Sequence, residues 1–158
     1  MSRNDHEALW SARYRDAGDE YLFGTAPNRF LAAQAGWFGA GMSVLSVADG
    51  EGRNSVWLAG QGCSVTVTEI SQLAGMKQAV RPGGLLFLEG YTPKQLEYGT
   101  GGPSAVENLY TGALLREAFA DWEIVLLREY EDVMEEGRAH SGRSALIDLV
   151  ARKPATGR

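Results

Sequence analysis

One stretch, SVADGEGRNSVWLAG at 46–60, constrains the chain more than any other. A strand candidate, MSVLSVA at 42–48, runs into Gly50 and Gly52. A helix follows, capped by Asn54 or Ser55, with apolar Val56, Trp57 and Leu58 and a stop at Gly60 and Gly62. Glycines at such a turn let the backbone pass close to a ligand, and the helix points its free amides at whatever sits there. A tight strand-to-helix turn has the same pattern, so the GxG alone does not separate the two readings. Glu69, at the end of the next strand, is what lifts it, because acids at that place accept hydrogen bonds from ribose hydroxyls.

The rest of the chain continues the alternation. CSVTVTEI at 63–70 is β-branched and reads as a second strand. SQLAGMKQAV sets Leu73, Met76 and Val80 on one helical face, with Ser71 as cap, until RPGG stops it. LLFLEG at 85–90 is nearly continuous apolar sequence, as in strands buried on both faces. YTPKQLEYGTGGPSAVENLY is too long for a plain connector, and Thr111 can cap the helix ending near Ala120. WEIVLLREYEDV and RSALIDLVARK read as long antiparallel strands joined by MEEGRAHSG. Upstream, 5–16 carry a helical stripe, and Pro27 and Asn28 suit the start of a further short helix that Gly36 ends. The expectation is a single α/β domain over 1–158. Its sheet has about five strands, mostly parallel, with a terminal antiparallel pair.

Composition removes several classes. The chain is 44% hydrophobic and 22% charged, an ordinary globular balance. No apolar run approaches the roughly 20 residues of a membrane span, and MSRNDHEALW lacks a secretory apolar stretch, so the cytoplasm is expected. The single Cys63 and two histidines exclude an intrachain disulfide and a Cys/His zinc site, and no metal is expected. A net charge of −5 without a Lys/Arg cluster argues against nucleic acid. A small-molecule partner fits better.

VLSVADGEGRNSVWLA, VTVTEIS, RPGGLLFLEGYTP and YGTGGP, in this order, resemble the class I S-adenosylmethionine-dependent methyltransferases, particularly the tellurite-resistance and thiopurine methyltransferase-like branch. WSARYRDAGDEYLFGTAPNRFLA is similar to the amino-terminal cover of that branch. The resemblance implies a Rossmann-like sheet and S-adenosylmethionine as cofactor. It places the loop Asp49, Gly50, Glu51, Gly52 and Arg53 at the methionine end, Glu69 on the ribose and Ile70 on one adenine face. Trp10, Tyr14 and Gly24 would close over the cofactor, and 89–103 with His140 and Arg143 would shape the acceptor pocket. The implied reaction is methyl transfer to a small soft nucleophile, a thiol, selenium or tellurium compound.

The chain departs from that pattern. The family's first loop acid is Ser46 here, and its first glycine is Ala48. Two strand-helix units are missing between Glu69 and RPGG, roughly 50 residues at about 30 per unit. A crossover through 71–80 would set LLFLEG directly beside VLSVA, in a five-stranded sheet without a central gap. If the link cannot reach, the same elements complete a second copy, and a domain-swapped homodimer is slightly favoured because the loss bares apolar surface. A shortened cofactor-binding or sensor protein without activity is the alternative, and a nicotinamide-dependent oxidoreductase a weaker third. Trp37, Trp57 and Trp122 read as core or subunit contacts, Cys63 as a small buried hydrophobe, and His140 most plainly as a solvated turn residue.

Overall fold

The computed structural model describes residues 21–68, 73–136 and 140–155. Helix α1 spans Arg29–Ala33, and a 3-10 turn follows at Ala35–Trp37. Then come β1 (Ser43–Val47), α2 (Arg53–Gly60), β2 (Ser64–Thr68), α3 (Leu73–Ala79) and β3 (Leu85–Tyr91). Short α4 (Gln95–Tyr98), a 3-10 turn at Val106–Asn108, α5 (Gly112–Ala118), β4 (Glu123–Glu136) and β5 (His140–Arg152) complete the order. Two expected caps are present, since the Asn28 side chain accepts from Leu31 N and Thr111 from Leu114 N. Each satisfies an amide that the first helical turn leaves without a partner.

The core belongs to the carboxyl-terminal half. β3 alternates, with Leu86, Leu88 and Gly90 buried and the residues between them half-buried. Leu86, Leu88, Ile147, Leu149 and Ala151 form one cluster with Leu115, Phe119 and Trp122. Leu73, Met76 and Val80 of the α3 region pack on the same cluster. Burial of each large side chain there contributes about 1.5–3 kcal/mol. Gly90 is required by close approach: a Cβ there would lie 2.6 Å from the Tyr110 ring. The amino-terminal half is thin. β1 has no fully buried residue, and Leu45 and Val67 stay 41% and 48% exposed.

The continuous sheet expected from the sequence is not found. β1 and β2 pair parallel as one sheet, and β3, β5 and β4 form a second in that order. Both pairings of the second sheet are antiparallel, so β1 with β2 is the one parallel pairing among the described residues rather than the dominant mode. LLFLEG does not lie hydrogen-bonded to VLSVA. Side chains of the leading segment bridge the two sheets instead. The Phe38 ring sits 6.1 Å from Trp57 of α2 and 5.0 Å from Phe87 of β3. Asn28 donates from its backbone to Asn54 Oδ1 and from its side chain to Glu89 of β3. The apolar stripe of α3 is spent on the second sheet's core, and backbone pairing between the halves is replaced by these contacts.

Of the tryptophans, Trp122 is core, whereas Trp37 is 39% exposed beneath the Arg152 guanidinium. Cys63 is buried.

Candidate functional site

Beyond β1 the chain turns through Ala48 (φ +52), Gly50 (φ +57) and Gly52 (φ +87) into α2. All three are left-handed, a conformation that glycine adopts freely and alanine does not. Ala48 therefore carries strain at the place where the family pattern has glycine. The N-cap position is taken by Gly52, not by Asn54 or Ser55, and Asp49 Oδ2 accepts from Ser55 N in the first turn at 3.1 Å. Asn54 is used by Asn28, and Ser55 donates to Gly52 O at 2.9 Å. Asp49 Oδ1 is buried without a hydrogen-bond partner among the described residues. Glu51 accepts from Leu22 N and Phe23 N at 3.1 and 3.2 Å, tying the leading segment to the loop. Arg53 adds a bond to Phe23 O and lies 5.8 Å from the Phe23 ring.

Opposite this loop is the carboxyl end of β3. Between them opens a cleft of about 270 Å³, lined by Ala48 and Arg53 on one side, Phe87, Glu89, Gly90 and Tyr91 on the other, and Asn28, Phe30 and Leu31 from the leading segment. Ligand sites of open α/β folds lie at the carboxyl ends of strands. Each side pairs apolar surface with a polar group, Arg53, Glu89 or Asn28, which suits a small ligand with both apolar and polar parts.

Glu89 is held on two sides. Asn28 Nδ2 donates to its Oε1 at 2.6 Å, and Tyr130 Oη lies 3.3 Å from its Oε2. Tyr130 Oη is also 3.4 Å from Asp148 Oδ1. Asp148, the register partner of Glu89, is fully buried, and Arg128 donates to its Oδ2 from Nε at 2.7 Å. Burial pushes the Asp148 carboxyl above its ordinary range, against the pull of the Arg128 guanidinium. Burial, with the charges of Glu89 and Asp148, pushes the Tyr130 phenol up as well. Nothing in the local sequence signals this cluster, because its members meet only through the register of three strands.

The remaining expected site residues fall in several places. Gly24 (φ +69) follows the segment that Glu51 holds. Arg143 is bound to Glu131 at 2.7 Å and lies 5.4 Å from the Tyr98 ring. By strand alternation it shares the face of Ile147, opposite Asp148 and the cleft. His140 begins β5 opposite Glu136. Trp10, Tyr14, Glu69 and Ile70 lie outside the described residues. The loop 99–103 is anchored beside β5: Gln95, 1% exposed, accepts from Ala145 N and donates to Thr100 Oγ1 and Gly101 O. Among the described residues, no group of His, Cys, Asp and Glu could hold a metal ion, and no helix is long and apolar enough to cross a membrane.

No family model and no curated protein matches the sequence. Solved structures do match the fold. One, from work on the conversion of a disulfide bond into a thioacetal group during echinomycin biosynthesis, is 17% identical with a TM-score of 0.63, over 95% of this chain and 94% of that one. The 1,6-didemethyltoxoflavin-N1-methyltransferase of Burkholderia thailandensis, solved with 1,6-didemethyltoxoflavin and S-adenosylhomocysteine, is 14% identical with a TM-score of 0.58, over 98% and 91%. The chain shares the fold of these two structures, the second of which is a methyltransferase. TehB of Haemophilus influenzae is 16% identical with a TM-score of 0.58, over 78% of this chain and 61% of that one.

Proposed function

We propose that this chain is a compact S-adenosylmethionine-dependent methyltransferase that acts on a small soft nucleophile, a thiol, selenium or tellurium compound. The observation that carries the reading is the cleft between the left-handed loop after β1 and the acid-bearing end of β3, in a chain with a methyltransferase fold. The residues present fit the methionine end of the cofactor. Asp49 Oδ1 is a buried carboxylate oxygen without a protein partner among the described residues, which suits an ammonium group, and the glycine loop leaves room beside it. Glu69 would take the ribose hydroxyls and Ile70 one face of the adenine, with Trp10, Tyr14 and Gly24 closing over them. When bound, the cofactor supplies a methyl group on a sulfonium sulfur. This chain's part is to hold two reactants in line and exclude water, which needs no dedicated catalytic motif. Phe30, Phe87 and Tyr91 would give the acceptor its apolar wall, and 99–103 with His140 its outer rim.

In this reading the chain is the fold of the tellurite-resistance and thiopurine branch shortened after its second strand, acting in the cytoplasm. β1 and β3 each keep one edge without a strand among the described residues, and the half-sheet of β1 and β2 buries little. A homodimer, swapped or not, would cover these features. The same thinness supports a second reading, a cofactor-binding sensor without turnover.

Calorimetry with S-adenosylmethionine, S-adenosylhomocysteine and NAD tests the proposal. Saturable binding of the first two alone supports it, and Glu69→Ala should weaken that binding by at least about 1 kcal/mol. Binding of NAD alone, or of none, overturns it. Methylation of a thiol then separates enzyme from sensor.

A further inference from the structure

We propose that Glu89 receives the proton of the methyl acceptor, and that the acceptor is therefore a thiol or another neutral nucleophile whose reacting atom carries hydrogen. The assignment rests on the methyltransferase reading above and narrows it. Glu89 is the one carboxylate among the cleft's described lining residues, with apolar Phe30, Leu31 and Phe87 around it. A neutral X–H nucleophile that attacks a sulfonium methyl forms an X–C bond while the C–S electron pair leaves with sulfur, which becomes a neutral thioether. The X–H bond then breaks, its electrons stay on X, and the proton passes to the Glu89 carboxylate. A fully ionised oxyanion acceptor has no such proton to lose.

What surrounds Glu89 serves both of its protonation states. Asn28 fixes one carboxylate oxygen by a donated bond of 2.6 Å. Tyr130 has a single hydroxyl hydrogen and stands 3.3 Å from Glu89 and 3.4 Å from Asp148. A phenol donates one hydrogen at a time. It can point to Glu89 while that group is ionised and to Asp148 once Glu89 holds the proton. Arg128, over the Tyr130 ring at 4.5 Å, keeps Asp148 compensated throughout. Asn28, Tyr130 and Asp148 are thus positioning residues. Among the described residues, the titratable and charged groups facing Glu89 include Tyr130 and Arg128 of β4, Asp148 of β5, Tyr91 of β3 and, across the cleft, Arg53 of α2. Arg29 of α1 is engaged by Asp132.

The test compares the unaltered protein, Glu89→Gln and Tyr130→Phe at pH 7 with two acceptors, 2-mercaptoethanol, which is protonated there, and 4-nitrothiophenol, which is already a thiolate. Glu89→Gln is expected to lower kcat for 2-mercaptoethanol about 100-fold or more. The loss should exceed that for 4-nitrothiophenol at least about tenfold, because only the first acceptor has a proton to give. Equal losses overturn the assignment. Independently of turnover, carbon-13 NMR of glutamate-labelled protein follows the Glu89 carboxyl, identified by its disappearance in Glu89→Gln. Tyr130→Phe should move its titration midpoint to higher pH by removing a donor to the ionised form. An unmoved midpoint overturns the role given to Tyr130. A protein that binds S-adenosylhomocysteine by calorimetry yet methylates neither thiol overturns the acceptor assignment alone. Absence of that binding overturns the methyltransferase reading itself.

Discussion

Asn28 joins the two halves of this molecule, and replacing its amide nitrogen by oxygen tests that role with little change of shape. Its Oδ1 caps α1 at 3.0 Å from Leu31 N, its backbone reaches Asn54 of α2, and its Nδ2 donates to Glu89 of β3 at 2.6 Å. Asn28→Ala removes a cap, about 1 kcal/mol, and a hydrogen bond to a charged group, about 1.5–3 kcal/mol. Partial exposure discounts the second figure, so the sum is about 2–3 kcal/mol. Asn28→Asp keeps the cap and turns the donor into an acceptor that faces a carboxylate. Two like charges about 4 Å apart repel by up to about 4 kcal/mol at an effective dielectric near 20. A shared proton relieves that repulsion. The folded pair therefore titrates above its unfolded value, so its stability is present at low pH and is lost as pH rises, by at most about 1.4 kcal/mol per pH unit. Urea unfolding at pH 5.5 and 8 checks this. Asn28→Asp should be the least stable of the three proteins at pH 8 and recover at least about 1 kcal/mol relative to the unaltered chain at pH 5.5. If it stays within about 0.5 kcal/mol of the unaltered chain at both values, the bridge contributes nothing and the reasoning fails.

Further outcomes follow from single contacts. Gly90→Ala drives a methyl into the Tyr110 ring and should cost about 1–3 kcal/mol in thermal unfolding, a loss that Tyr110→Ala in the same chain partly restores. Ala48→Gly removes left-handed strain of about 1–2 kcal/mol but adds unfolded-state freedom worth about 0.4–1 kcal/mol, so urea unfolding should show a gain of up to about 1.6 kcal/mol; a loss would mean that the turn is not strained. Lys94, Tyr98 and Arg143 hold the Glu131 carboxyl down at about 2. A lowered acid pKa gives stability that is present above the unfolded value and lost as pH falls toward about 2, so Glu131→Gln should flatten the decline of melting temperature below about pH 4.5.

Much of the local structure is legible in the residues. The caps at Asn28 and Thr111, the GxG turn, the β-branched run at 64–68 and the long hairpin after Trp122 depend on neighbours within a few positions, and each forms as expected. Asp49 shows where that reading weakens. The helix starts at Arg53 after Gly52, so Asn54 and Ser55, expected as caps, fall inside its first turn, and the Ser55 amide goes to Asp49 from across the turn.

The order of residues by itself determined the alternating elements and the glycine loop, because periodicity and side-chain chemistry act over short stretches. Only the tertiary structure decided that β1 and β3 stay apart, that Phe38 and Asn28 fill the interval, and that Glu51 and Arg143 are taken by Leu22, Phe23 and Glu131. The physical reason is that partners far apart in sequence compete for the same charged group. The Glu89, Tyr130 and Asp148 cluster arises in the same way, from a strand register that no single segment encodes.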